Sequence, residues 1–539
     1  MDLILYNAKI RTMDNQIPFA SAVAVKDGII FRVGTDEEIL ALKTPDTKII
    51  DANKKLVLPG FIDTHMHNVQ TGYADNGIVL FGTKSIEELI EKIKNFIAEK
   101  NLDEGAWVYG WGWNQDLFDN PVFPTRKDLD KASIKNPIAI ARACGHIMAC
   151  NTKAIELAGC LDNVPKFEGG EIDVDESGQA TGIFRERPAI ELLRKQFASA
   201  DKEQIKKYIL TVAQGLLQHG VTSIMTDDFS SFDVPYETVL NAYKELSESG
   251  ELPVRVYQQC SLGKMELLND FINKGYVRAD YGFYKLGPLK LIGDGSLGAR
   301  TAYLAEEYKD EPGTRGIPVL SQNQLDELIV TAHKAGMQVA VHAIGDGTMK
   351  MVLDAIEKAQ KAYPRLDPRH GIVHCQITDM PMLERFRKLN VIAFIQPVFL
   401  DYDMHIVESR VGKEKASTSY AFNTMNEMGI HIAFGTDCPV ERYYALPNIY
   451  YAVTRKDKKG FPEGGFYPEE KMSVYDAVKS YTQSSAYCSY EEDVKGTITT
   501  GKYADMVMIS EDIFEIEPEE IINQDILMTI VNGKVAYEA

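Results

Sequence analysis

Between residues 60 and 437 the chain alternates short apolar strands with amphipathic helices, and this pattern limits its fold more than any other feature. Eight strand-like runs recur, at 60–67, 220–227, 253–259, 289–294, 338–343, 371–375, 391–397 and 431–437. Helical patterns separate most of them, over 202–219, 235–249, 322–335, 347–363, 380–389 and 418–428. Parallel strands cannot be joined by a tight turn; they need a crossover, which a helix supplies while covering the apolar face of the sheet. Gly220, Gly336 and Gly429 follow three of the helices, where a left-handed residue ends a helix without steric cost. Eight such units predict an α/β fold, a (β/α)8 TIM barrel. An open doubly wound sheet is the rival arrangement.

The chain is too long for the barrel alone: its 539 residues predict two or three domains. Short β-like runs crowd both ends, with Asn532-Gly533 as a hairpin turn. Neither end can bury a core by itself, so residues 1–58 and 491–539 are expected to pack together as one β-sandwich. The barrel then takes 59–70 and 196–490. Residues 71–195 form an insertion after the first barrel strand, with all three tryptophans, Trp107, Trp111 and Trp113. Loops after barrel strands cover the end where barrel sites lie. The insertion is thus either a lid over that site or a peripheral packing unit.

Composition narrows the partners. Lys and Arg number 58 against 78 Asp and Glu, a formal charge of −20. With no run of five basic residues, binding to nucleic acid is not expected. The seven cysteines form no Cys-x-x-Cys pair, which points to reduced thiols in the cytoplasm. No basic leader and no stretch of eighteen apolar residues occurs, so neither a signal peptide nor a membrane span is expected. A homodimer is the expected assembly.

The chemistry begins at Phe61-Ile62-Asp63-Thr64-His65-Met66-His67. Residues i and i+2 of a strand share a face, so His65 and His67 can bind one metal ion. Further polar residues interrupt apolar runs at or near the strand ends: Lys290, His342, His374 and Asp437. A polar side chain in such a run is costly unless it is paired. Six candidate ligands on five strands make a convergent site at the barrel mouth. His219, His333 and His431 sit at helix ends or strand starts and read as structural, and Cys375 and Cys438 read as packing.

This layout resembles the amidohydrolase superfamily, and its details resemble the YtcJ-like branch, which includes N-substituted formamide deformylases. The resemblance rests on Leu58 to His67, Lys290 to Ala302, Gln396-Pro397, Gly435 to Val440 and Gly501 to Val507, and spans nearly the whole chain. It implies that His65, His67 and Asp437 hold one divalent metal and that His342 and His374 complete a second site. Lys290, carboxylated by carbon dioxide, would bridge the two; the other reading of Lys290 is a bare amine paired with Asp294 or another carboxylate, giving one ion. Zinc is the first expectation, with iron or manganese as alternatives.

Asp437 and His374 are the expected catalytic residues, Asp437 as general base and then proton donor to the leaving amine. His146, Arg300 and Trp113 are the expected substrate-binding residues, although His146 reads equally as structural, Trp113 as core and Arg300 as a loop anchor through Asp294. Glu186 receives no role. The implied activity is hydrolysis of an amide-type C–N bond, not a peptide bond, in a small molecule. The alternatives are an ester, a cyclic imide or a ring amine in the same site, or a non-catalytic binding protein on a retained barrel.

Overall fold

The computed structural model describes residues 1–196 and 200–539. Eight parallel strands run side by side in chain order: β1 (Phe61–Met66), β2 (Val221–Thr226), β3 (Arg255–Ser261), β4 (Tyr284–Ile292), β5 (Val339–Ala343), β6 (Gly371–His374), β7 (Ile392–Ile395) and β8 (Ile432–Phe434). Strands β1 and β8 come together without a regular ladder. The Thr64 hydroxyl donates to the carbonyl of Phe434 at 2.9 Å, the Asp437 N–H to the carbonyl of His65 at 2.7 Å, and the His67 N–H to the carbonyl of Cys438 at 2.7 Å. Gly435 permits this closure, because a Cβ there would lie 2.6 Å from the His65 backbone nitrogen.

Alternation along the strands fixes what faces the barrel interior. Val339 and Val341 pack outward under the helices, whereas Ala340 joins an inner cluster with Met225, Tyr257, Val373, Phe394 and Ala433. His342 shares the parity of Ala340, and Lys290 lies between the outward Leu289 and Leu291. Both therefore point inward at the ends of their strands.

Strand β4 starts at Tyr284, before the expected 289. Gly287-Pro288 hides its first half in the sequence. The register against β3 shifts there, with Leu286 opposite Gln258 and Leu289 opposite Cys260. Proline has no amide to donate, so it is tolerated at such a bulge. The expected 418–428 helix shrinks to Phe422–Glu427.

The helices Lys202–Gln218, Tyr236–Glu248, Gln322–Lys334, Asp346–Ala362 and Met380–Leu389 follow strands or precede them in the predicted alternation. Asp201, Ser321 and Asp379 cap three of them by accepting from the N–H three residues on. None of the described helices is long and apolar enough to cross a membrane.

The chain ends share a sheet: Leu56–Pro59 pairs antiparallel with Met506–Ile509 in a six-stranded arrangement. A four-stranded sheet containing Leu3–Tyr6 and Ala22–Lys26 packs against it, with Leu5, Val23 and Ile30 meeting Val57, Met506 and Ile530. The segment between β1 and β2 builds a further six-stranded sheet from Ile78–Val79, Val108–Trp113, Ile138–Arg142, Ile147–Cys150, Ala180–Arg185 and Glu171–Val174, in that order. This insertion has its own apolar clusters.

Candidate metal centre

The barrel closure that joins β1 to β8 also brings His65, His67 and Asp437 together. The rings of His65 and His67 lie 5.1 Å apart, and Nε2 of each is 3.1 Å from Oδ1 of Asp437. Their candidate ligand atoms all fall within 4.8 Å of one another. His342 and His374 lie alongside, with Nδ1 of His342 2.9 Å from Nε2 of His374 and the His374 ring 5.6 Å from that of His65.

The other nitrogen of each ring is committed to an acceptor. His65 Nδ1 donates to Gln259 Oε1 at 2.8 Å, His67 Nδ1 to the carbonyl of Asp227 at 3.0 Å, His374 Nδ1 to Gln396 Oε1 at 2.7 Å and His342 Nε2 to the carbonyl of Gly295 at 3.0 Å. Gln259 is itself held by donating Nε2 to the carbonyl of Thr64, which leaves its oxygen for His65. These partners assign the protons, so each neutral ring presents a bare nitrogen to the shared centre. Two such nitrogens facing at 2.9 Å repel unless a cation or a proton lies between them. Zinc bonds of about 2.0–2.1 Å in a tetrahedron set ligand atoms about 3.3 Å apart, close to the spacing around Asp437. The residues therefore fit a divalent transition metal, and a set rich in imidazole disfavours magnesium or calcium.

The backbone is strained where the site forms. His374 has φ 84°, Cys375 φ 50° and Asp437 φ 60°, values that L-residues seldom adopt. Positive φ at His374 and Cys375 breaks the strand alternation, which lets His374 turn inward directly after the inward Val373. Asp63 braces the closure from beneath. It accepts from the His65 N–H at 3.1 Å and the Thr436 hydroxyl at 2.6 Å, and burial lifts its pKa to about 7.

Electrostatics follow from burial. Desolvation, aided by the nearby Lys290, lowers His65 to about 4, which favours the neutral, metal-binding ring. Burial also drives His374 well below the usual histidine range. Burial works against ionised Asp437, but a proton on His65 or His67, where either carries one, outweighs it and holds the carboxyl well below the usual range.

Lys290 is buried, with Nζ 3.3 Å from His65 Nε2 and 3.9 Å from Asp227 Oδ2. Burial lowers its pKa, which favours the free amine. It does not pair with Asp294, whose carboxylate instead accepts from the N–H groups of Tyr303, Ile344 and Gly345 at 2.9–3.0 Å.

The centre opens into a cavity of about 120 Å³, walled on the barrel side by His65, His67, Lys290, His342 and Asp437 and on the insertion side by Trp111, His146, Glu186 and Arg187. His146 Nδ1 lies 2.8 Å from Glu186 Oε2. Burial disfavours a charged His146, but the Glu186 carboxylate outweighs it and lifts the ring to about 9. Two expected substrate residues lie elsewhere, and both require correction. Trp113 is fully buried, donates its indole N–H to the carbonyl of Ile140 at 2.9 Å and packs with Leu80, Phe118 and Ile138 in the insertion core. Gly112 at φ 107° separates it from Trp111 and turns only the latter toward the cavity. Arg300 pairs with Asp310 at 2.9 Å and Glu311 at 3.2 Å; it secures a loop, through those residues and not through Asp294.

Sequence reasoning passed over Gln259, Asp227 and Glu186. Gln259 and Asp227 carried the same signal as the histidines, a buried polar residue ending an apolar strand. Glu186 did not, since it lies in the insertion just past a short sheet.

Comparison with known proteins agrees with this geometry. The amidohydrolase family profile matches residues 48–537, and the chain belongs to that family, whose members are metal-dependent hydrolases acting on small molecules. It is 32% identical to YtcJ of Bacillus subtilis, named as an amidohydrolase, over the full length of both chains. It is 24% identical to the N-substituted formamide deformylase of Arthrobacter pascens, covering 100% of this chain and 98% of that one. Among solved structures, a metal-dependent hydrolase from Pyrococcus furiosus superposes with TM-score 0.74 at 30% identity, over 95% of this chain and 100% of the other.

Proposed function

We propose that this hydrolase cleaves an amide-type C–N bond of a small molecule at the centre formed by His65, His67, His342, His374 and Asp437. The observation that carries the reading is the convergence of His65, His67 and Asp437, whose ligand atoms lie within 4.8 Å of one another, with the facing nitrogens of His342 and His374 alongside. Zinc is the ion we assign. Lys290, carboxylated on its free amine, would supply a further oxygen ligand for a second ion. A divalent cation held by these residues would supply Lewis acidity toward a carbonyl and bring the pKa of water down to about 7.

The chain's own groups do the rest. Asp437 sits at the mouth as a carboxylate and takes the proton of the attacking water. It returns that proton to the leaving nitrogen, since an amine leaves far more readily than its anion. His374, kept neutral and oriented by Gln396, holds its Nε2 toward the same point. His146, held by Glu186, donates to the substrate carbonyl from the opposite wall. The kinship with a formamide deformylase supports N-acyl and N-formyl amines as the first substrates to try.

The test is a screen of N-formyl and N-acyl amines after chelation, with zinc, iron or manganese added back. Metal-dependent release of amine from at least one of them is expected. Activity that survives chelation and gains nothing from added metal would refute the reading.

A further inference from the structure

The cavity over the metal centre continues into a larger one of about 770 Å³, sharing with it Gln70, Arg187, Arg194, Ser230 and Lys290. Aromatic rings wall the larger chamber. Tyr73 lies 4.7 Å from Tyr109 and 5.4 Å from Phe232. Most charges lining it are already matched. Glu191 pairs with Arg187 at 2.7 Å, and Asp270 and Glu237 are both taken by Lys274. Lys195 and Lys264 are exposed at the rim.

Arg194 is different. It ends the helix Glu186–Arg194, borders both chambers and has no ion pair or side-chain hydrogen bond among the described residues. Partial burial and the neighbouring Arg187 charge lower its pKa, and Tyr109 and Glu191 do not restore it. A half-buried guanidinium on the wall of a cavity, left without an anion, is the kind of group a ligand completes. Its flat fork matches a carboxylate, which can accept two parallel N–H bonds.

We infer that the substrate carries a carboxylate that pairs with Arg194, with its apolar body against Tyr73, Tyr109 and Phe232. This rests on the amide-hydrolase reading only for the placing of the scissile bond. The binding of an anion beside an aromatic wall stands apart from turnover.

The probes are two pairs, each of which differs in its carboxylate. N-formylphenylalanine and N-formylphenethylamine are compared for turnover, and 3-phenylpropionate and 3-phenylpropanol for binding by calorimetry to the metal-loaded enzyme. The wild type should bind 3-phenylpropionate about tenfold or more tightly than the alcohol. Arg194→Gln should bring that ratio close to one, and Arg194→Lys should keep part of it, with circular dichroism reporting the fold of each. Equal affinities in the wild type, or an unchanged ratio in folded Arg194→Gln, would overturn the inference. If the acid binds through Arg194 but neither formamide is cleaved, the anion site stands and the amide reading falls. If the neutral formamide is cleaved as well as the acidic one and the binding ratio is one, the reverse holds.

Discussion

The barrel and the insertion meet at one cavity, yet they build their halves of it by different rules. On the barrel side most ligand positions follow from strand geometry, with inward parity at Lys290 and His342 and the β1–β8 closure at His65, His67 and Asp437; His374 alone turns in through a positive-φ break. On the insertion side Trp111, His146 and Glu186 owe their places to a sheet of short strands and to positive φ at Gly112 and Glu186. The barrel half can hold an ion whatever the substrate is. On the proposed function, the insertion half, with the aromatic chamber beside it, would be where substrates are told apart.

If that division is right, damage to the barrel half should be the more severe. Asp437→Ala or His65→Ala should cut kcat/KM by about a thousandfold or more while the melting temperature stays within a few degrees. Full activity in Asp437→Ala would remove the proposed base and the contrast with it.

On the insertion side, Glu186→Gln should lower kcat/KM by about ten- to a hundredfold, the usual size for a partner that orients a functional histidine. It should do so without changing the amount of metal bound. Loss of metal in this variant would erase the boundary between the two halves.

Trp113→Ala sharpens the comparison within the insertion. It should cost about 3–5 kcal/mol of stability by emptying a packed site, with kcat/KM of the folded enzyme nearly unchanged. A raised KM at unchanged stability would return Trp113 to the substrate wall.

The smallest effect lies away from both halves. Glu491 is buried between Lys285 at 3.0 Å and Lys495 at 2.6 Å. Burial opposes its charge, but the two lysines outweigh burial and bring it down from 4.5 to about 2. A carboxyl with a lowered native pKa contributes its full stability above pH 4.5 and loses it as pH falls toward 2. Glu491→Gln should flatten the acid side of the stability profile in urea titrations. An unchanged profile would show that this pair does not couple to acid unfolding.

How much of this could be read from the chain follows the same division. Period-two alternation and Gly-terminated helices made the eight barrel strands legible, and a polar residue ending an apolar run marked His342, His374 and Asp437. Tyr284 was missed because Gly287-Pro288 breaks the apolar run at a bulge. Arg300 and Trp113 misled for a different reason. Arg300 lies in a segment that resembles family members and Trp113 in an aromatic cluster, but side-chain direction is set by tertiary partners, here Asp310 and Ile140. Glu186 and Arg194 sit in a helix whose sequence reads as an ordinary charged surface. Only the cavity beside it gives them meaning.

The central claim is that one cation sits between the histidine pair of β1 and the carboxylate after β8. Anomalous diffraction at the zinc edge, on crystals of enzyme reconstituted after chelation, tests it directly. The account predicts a peak about 2.0–2.2 Å from His65 Nε2, His67 Nε2 and an oxygen of Asp437. A zinc-loaded enzyme with no peak among these three atoms, or one bound only at other residues, would contradict it.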